Sequence, residues 1–149
     1  MSEVETSGAV PTGNMGLSPI DVVSRMIYAF GEGDGEKAAA YCSEDCVYLN
    51  IPFPPATVGR AAIAAAINGL IDLAADVTTD VVASVTDGTT VMNRRYDTWT
   101  WKSSGTPITL EVMGHFVVRD GLITEWADFF DDGQAQIVKH LEAAAAASQ

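Results

Sequence analysis

The stretch PITLEVMGHFVVRDGLITEWADFF, residues 107–130, reads as two β-strands joined by a tight turn. Leu110, Val112, Gly114 and Phe116 alternate with Glu111, Met113 and His115; Trp126, Asp128 and Phe130 alternate with Ala127 and Phe129. Alternation of this kind is the strand period, because successive side chains leave a strand on opposite faces. The Asp120-Gly121 pair between the runs is a hairpin turn signal. Expected strands therefore run over 107–118 and 122–130. Two more runs precede them, Val77 to Thr86 and Thr89 to Trp101, joined at Asp87-Gly88, with Ser103 to Thr106 as a looser connection.

The first half has a different texture. Ser18 followed by Pro19 is a helix start, with serine as cap and proline at the first helical position. Ile20, Val23, Ile27 and Phe30 then share a helical face before Gly31. Asp34 can cap a second short helix reaching about Cys42, and Cys46 to Ile51 reads as a strand that Pro52-Phe53-Pro54-Pro55 cannot continue. An Ala-rich third helix is expected from Arg60 to Ile71, and a last one over Gln134 to Ala147. Helices followed by a four-stranded antiparallel meander make an α+β layout. A strongly curved, mainly antiparallel sheet closing over those helices is expected to leave a conical, apolar pocket.

At 149 residues, 48% of them hydrophobic and 19% charged, the chain has the size and balance of one globular domain. Residues 1–17 are acidic and rich in Gly, Ser and Thr, without the basic start and apolar run of a signal peptide, so a flexible lead-in before a domain spanning 18–149 is expected. The longest apolar run, Ala61 to Ile67, falls well short of the roughly 20 residues needed to span a bilayer. A cytoplasmic location is the expectation. A net charge of −12 argues against nucleic acid or an anionic membrane as partner. Cys42 and Cys46 form no zinc or redox spacing and read as packing thiols.

Three short segments carry the chemistry. Tyr48 and Asn50 share one strand face, Arg95 and Asp97 another, and Asp128 points with Trp126 and Phe130. Each has a bland reading. Arg95 and Asp97 read equally as an ion pair on a wet sheet surface, contributing about 0–1 kcal/mol. Tyr48 reads as a core tyrosine, and Asn50 as a strand-end residue preparing a turn. Asp128 is harder to dismiss, because a carboxylate among aromatics is costly unless a donor or cation answers it. Taken together, two carboxylates around one permanently protonated guanidinium can hold one extra proton, leaving an acid and a base. A phenol and an amide both donate and accept, which suits fixing a water. No Gly-x-Ser-x-Gly elbow or phosphate-cradling loop is present in the sequence. The inventory fits opening of a strained cyclic ether by water.

At these residues the sequence resembles the limonene-1,2-epoxide hydrolase family. The matching stretches are DCVYLNIPFPP (45–55), VMNRRYDTWT (91–100), LEVMGHF (110–116) and GLITEWADFFD (121–131), within a likeness covering about residues 18 to 135. The resemblance implies Asp128 as general base, with Tyr48 and Asn50 holding the nucleophilic water. It implies Asp97 as general acid and Arg95 as the bridge between the carboxylates. It further implies a one-step reaction without a covalent intermediate, no metal or organic cofactor, and a homodimer. The fold implied is a cone shared with ketosteroid isomerase and scytalone dehydratase. Ile27, Phe30, Leu70, Trp99, Leu110, Val112 and Phe130 would line the pocket for a small apolar epoxide. Trp99 stands where a smaller aliphatic is usual in that family. The alternative is an isomerase, dehydratase or polyketide cyclase on the same cone, because fold does not fix reaction.

Overall fold

The computed structural model describes residues 16–131, 141 and 143–148. In order, the chain forms α1 (Pro19–Gly31), α2 (Gly35–Ala39), β1 (Cys42–Asn50), β2 (Thr57–Val58), α3 (Arg60–Leu73), β3 (Ala74–Thr86), β4 (Thr90–Trp101), β5 (Pro107–Arg119) and β6 (Leu122–Phe130). The expected lead-in lies outside the described residues except for its end, where Leu17 packs against the core. Most of the expected helix over 134–147 also lies outside them; Leu141 and 143–147 are helical.

The helix starts follow from their caps. Ser18 Oγ accepts the backbone N–H of Asp21 at 3.1 Å, and Asp34 Oδ1 accepts that of Lys37 at 2.9 Å. At α2 the fit is close: Asn68 Oδ1 accepts the N–H of Gly35, and a Cβ there would lie 2.8 Å from the Ala64 carbonyl oxygen. Only glycine lets α2 settle on α3 this way.

The sheet has six strands in the order β2-β1-β6-β5-β4-β3. β3 to β6 form the expected antiparallel meander. Several features were not expected. β1 starts at Cys42 rather than Cys46 and joins the sheet parallel to β6, while the two-residue β2 pairs with β1 beyond the proline run. Likewise α2 stops at Ala39, and α3 passes directly into β3 at Ala74. Register shifts interrupt β1, β3 twice, and the β5–β6 pair. Such bulges bend a strand and raise its twist, and Asp76, with φ of 54°, lies at the first one in β3. The result is a curved, unclosed sheet wrapped over the helices, the α+β cone architecture.

One side of the cone is packed solid. Val22, Val23, Met26 and Ala29 of α1 and Ile63, Ala64 and Ile67 of α3 meet Val91, Phe116, Ile123 and Trp126 of the sheet, all buried. Each large aliphatic there contributes about 1.5–3 kcal/mol by leaving water. Cys42 and Cys46 are buried in the same core as free thiols. Thr79 Oγ1 donates to the Ile27 carbonyl at 3.1 Å, tying β3 to α1. Ile27 and Thr79 also stand on the wall of a cavity between the helices and the sheet.

Candidate active site

Strand register decides which side chains meet. Tyr48, Trp126, Phe116 and Val91 form one row across β1, β6, β5 and β4. The next row is Asn50, Asp128, Gly114 and Asn93, and the next is Phe130, Val112 and Arg95. The following row pairs Leu110 with Asp97 and Asp97 with Thr79. All these side chains face the helices, so the three polar segments converge. The surface reading of Arg95 and Asp97 fails: Arg95 is 2% exposed. The surface ion pair of β4 is its neighbour, Arg94 with Glu111 at 2.7 Å, on the opposite face.

The Arg95 guanidinium links both carboxylates. Nε donates to Asp97 Oδ1 and Oδ2 at 3.0 and 3.1 Å, Nη2 to Asp128 Oδ2 at 2.8 Å, and Nη1 to Asn93 Oδ1 at 3.3 Å. Burial opposes the charge on Arg95, but Asp128 and Asp97 outweigh it and drive its pKa further up. Asp128 accepts a second strong bond, from Trp126 Nε1 to its Oδ1 at 2.9 Å. The Tyr48 hydroxyl lies 2.9 Å from Asn50 Oδ1 and 3.4 Å from Asp128 Oδ2, so its single proton goes mainly to the amide. Tyr48 is held flat against Trp126, with ring centroids 3.8 Å apart and planes 22° apart.

The two groups at the ends of this chain are shifted in the same direction. Burial pushes the Asp97 carboxyl above its ordinary value; Arg95 pulls it down without cancelling that, and Asp128 adds to the rise. Burial also pushes the Tyr48 phenol well up, with Asp128 adding to it, so Tyr48 remains a proton donor throughout the neutral range.

Above the polar cluster lies a cavity of about 410 Å³, in the size range of small-ligand sites. Ile27, Phe30, Leu70, Trp99, Leu110, Val112 and Phe130 all stand on its wall, and Tyr48, Asn50, Arg95, Asp97 and Asp128 form its polar patch. Sequence reasoning did not single out Phe53, Thr79, Trp101 or Trp126 for the wall. The alternation of β4 and β6 placed Trp101 and Trp126 on the right faces; Phe53, in the proline loop, had no periodic signal. Trp99 meets Trp101 edge to face at 5.4 Å. No group of three or more His, Cys, Asp or Glu side chains among the described residues is placed to hold a metal ion.

Residues 23–126 match the family described as SnoaL-like domain, over well more than half of the sequence. The chain belongs to the SnoaL-like domain family. Solved structures similar to this SnoaL-like chain share its fold. One is a protein from Catenulispora acidiphila described as having a ketosteroid isomerase-like fold, in complex with trimethylamine; it is 15% identical, with a TM-score of 0.72, over 78% of this chain and 89% of that one. An LEH-like epoxide hydrolase of M. tuberculosis is 25% identical, with a TM-score of 0.66, over 74% of this chain and 76% of that one. The epoxide hydrolase/cyclase-like enzyme SalBIII, described in pyran ring formation in the polyether salinomycin, is 18% identical, with a TM-score of 0.68, over 76% and 90%. No helix among the described residues of the SnoaL-like chain is long and apolar enough to cross a membrane.

Proposed function

We propose that this SnoaL-like protein is an epoxide hydrolase of the limonene-1,2-epoxide hydrolase type, opening a small apolar epoxide to a vicinal diol. The single observation behind it is the guanidinium of Arg95 shared between Asp97 and Asp128 at the floor of an apolar cavity. Asp97 is the carboxyl pushed upward, mainly by burial, and so is suited to carry the proton. Asp128 takes hydrogen bonds from Arg95 and Trp126 and serves as the base.

In the proposed step a water sits between Asp128, Asn50 and the Tyr48 hydroxyl. Asp128 removes its proton as the water oxygen attacks an epoxide carbon. The carbon–oxygen bond of the ring breaks, and the departing oxygen takes the Asp97 proton. A diol results, with no bond to the protein. Proton transfer from Asp128 back to Asp97 through cavity water restores the starting state. Arg95 stays charged throughout and balances whichever carboxylate is ionised. The apolar wall residues exclude bulk water and hold the hydrocarbon part.

An isomerase, dehydratase or cyclase on this cone is the second reading. The Arg95 and Asp97 pair together with the second aspartate, Asp128, argues against it. We also propose a homodimer. The outer sheet face carries Met92, Met113 and Phe129, each 45–48% exposed, in adjacent register rows beside Arg94. A second copy of the chain would cover them.

A panel of limonene, cyclohexene and styrene oxides, run beside a steroid enone, tests the function. Diol formation by the native protein and none by Asp97→Asn or Asp128→Asn is the expected result. Turnover of the enone without any diol, or a near-normal rate from Asp128→Asn, would overturn the proposal.

A further inference from the structure

The Arg95 side chain reaches across a strand. Its residue sits on β4 in the row with Val112 and Phe130, whereas Asp128 sits on β6, beyond β5, one row along with Gly114 and Asn93. Neighbouring strands lie about 4.8 Å apart, so the guanidinium has roughly two strand spacings to cover before it meets Asp128. The route passes over Gly114. A Cβ on Gly114 would lie 2.8 Å from Arg95 Nη1, 2.7 Å from Asn93 Oδ1 and 2.6 Å from Phe116 Cε2, closer than real Cβ contacts come. Gly114 has no positive φ, so it is needed here for space and not for backbone freedom.

Asn93 closes the third side. It is buried, it pairs directly with Gly114, and its Oδ1 takes the Nη1 proton at 3.3 Å. With Nε on Asp97 and Nη2 on Asp128, all three nitrogens of the planar fork are anchored, and the fork cannot rotate within its plane.

We propose that Asn93 and Gly114 form a seat that sets the plane of the Arg95 guanidinium and so divides it between Asp97 and Asp128. Both are positioning residues that leave the reacting atoms untouched. The catalytic consequence rests on the hydrolase reading; the seat itself is a statement about Arg95 and can be tested without substrate.

The decisive variant is Asn93→Leu, which keeps the branched shape of the side chain and removes the acceptor. Its Asp97 carboxyl is followed by ¹³C NMR titration beside the native protein, and its turnover is measured on the epoxide panel. With the fork loosened, Arg95 holds the Asp97 carboxylate less well, so the Asp97 midpoint should move upward. The expected kinetic result is a fall in kcat of roughly ten-fold or more with KM little changed. A residue that merely packs would leave both unmoved. Gly114→Ala, which pushes the fork instead of releasing it, carries the same test if Asn93→Leu does not fold. An unchanged Asp97 midpoint in a folded variant would overturn the seat. A moved midpoint with no epoxide turnover even by the native protein would leave the seat standing and remove the hydrolase.

Discussion

Arg95 Nη2 donates to Asp128 Oδ2 at 2.8 Å, with the two side chains only 3% and 4% exposed. A pair buried this deeply gains little over apolar packing while intact, but is expensive to break from one side. The Arg95→Met variant leaves Asp97 and Asp128 facing each other without a cation. It should lose about 3–5 kcal/mol of stability at neutral pH, read by urea denaturation, and recover part of that at acid pH as a carboxyl takes up a proton. A loss below about 1 kcal/mol, the range of exposed pairs, would contradict the buried geometry.

Asp97 predicts the opposite balance. Its carboxyl is raised in the folded state, mainly by burial, so the native protein binds that proton more tightly than the unfolded chain does. The stability this brings is fully present below the unfolded value, about 3.9, and is lost as pH rises through the folded one. Asp97→Asn should therefore be at least as stable as the native protein at neutral pH while forming no diol. Native turnover should fall as pH rises through the Asp97 midpoint, because the acid must carry its proton. Parallel thermal melts and pH–rate profiles check both.

Tyr48→Phe keeps the stack on Trp126 and removes the hydroxyl near Asn50 and Asp128. About 1 kcal/mol of stability should go with the hydrogen bond. If the hydroxyl helps fix the water, kcat should drop roughly 10- to 100-fold with KM nearly unchanged. A rise in KM alone would make Tyr48 a wall residue.

Met113 and Phe129 lie directly opposite one another on the outer face. The double variant Met113→Lys, Phe129→Lys places two cations there and touches no cavity residue. It should convert a dimer to monomers in light scattering and leave the far-ultraviolet spectrum unchanged. A native protein that is already monomeric at micromolar concentration would contradict the proposed second copy.

The meander was legible because strand alternation and the Asp-Gly turns are local signals, and these also put Arg95 with Asp97 and Asp128 with Trp126. The parallel pairing of β1 with β6 was not, since it joins residues about 80 apart with no turn to mark it. That pairing is what carries Tyr48 and Asn50 to Asp128. Alternation also could not say which face of β4 is wet: Val91 and Trp99 on one side balance Met92 and Tyr96 on the other. Tertiary packing against α1 decided it. Asn93 and Gly114 escaped notice because an asparagine and a glycine inside strands carry no functional pattern. Their meaning exists only once β4, β5 and β6 are side by side.

The central claim is direct attack by water with Asp128 as base and Asp97 as acid. A single turnover in heavy-oxygen water, with enzyme in excess over epoxide, tests it most directly by mass spectrometry of the diol and of the peptides holding Asp97 and Asp128. One heavy oxygen in the diol and none in either peptide is the predicted result; an unlabelled diol with label in an aspartate would contradict it.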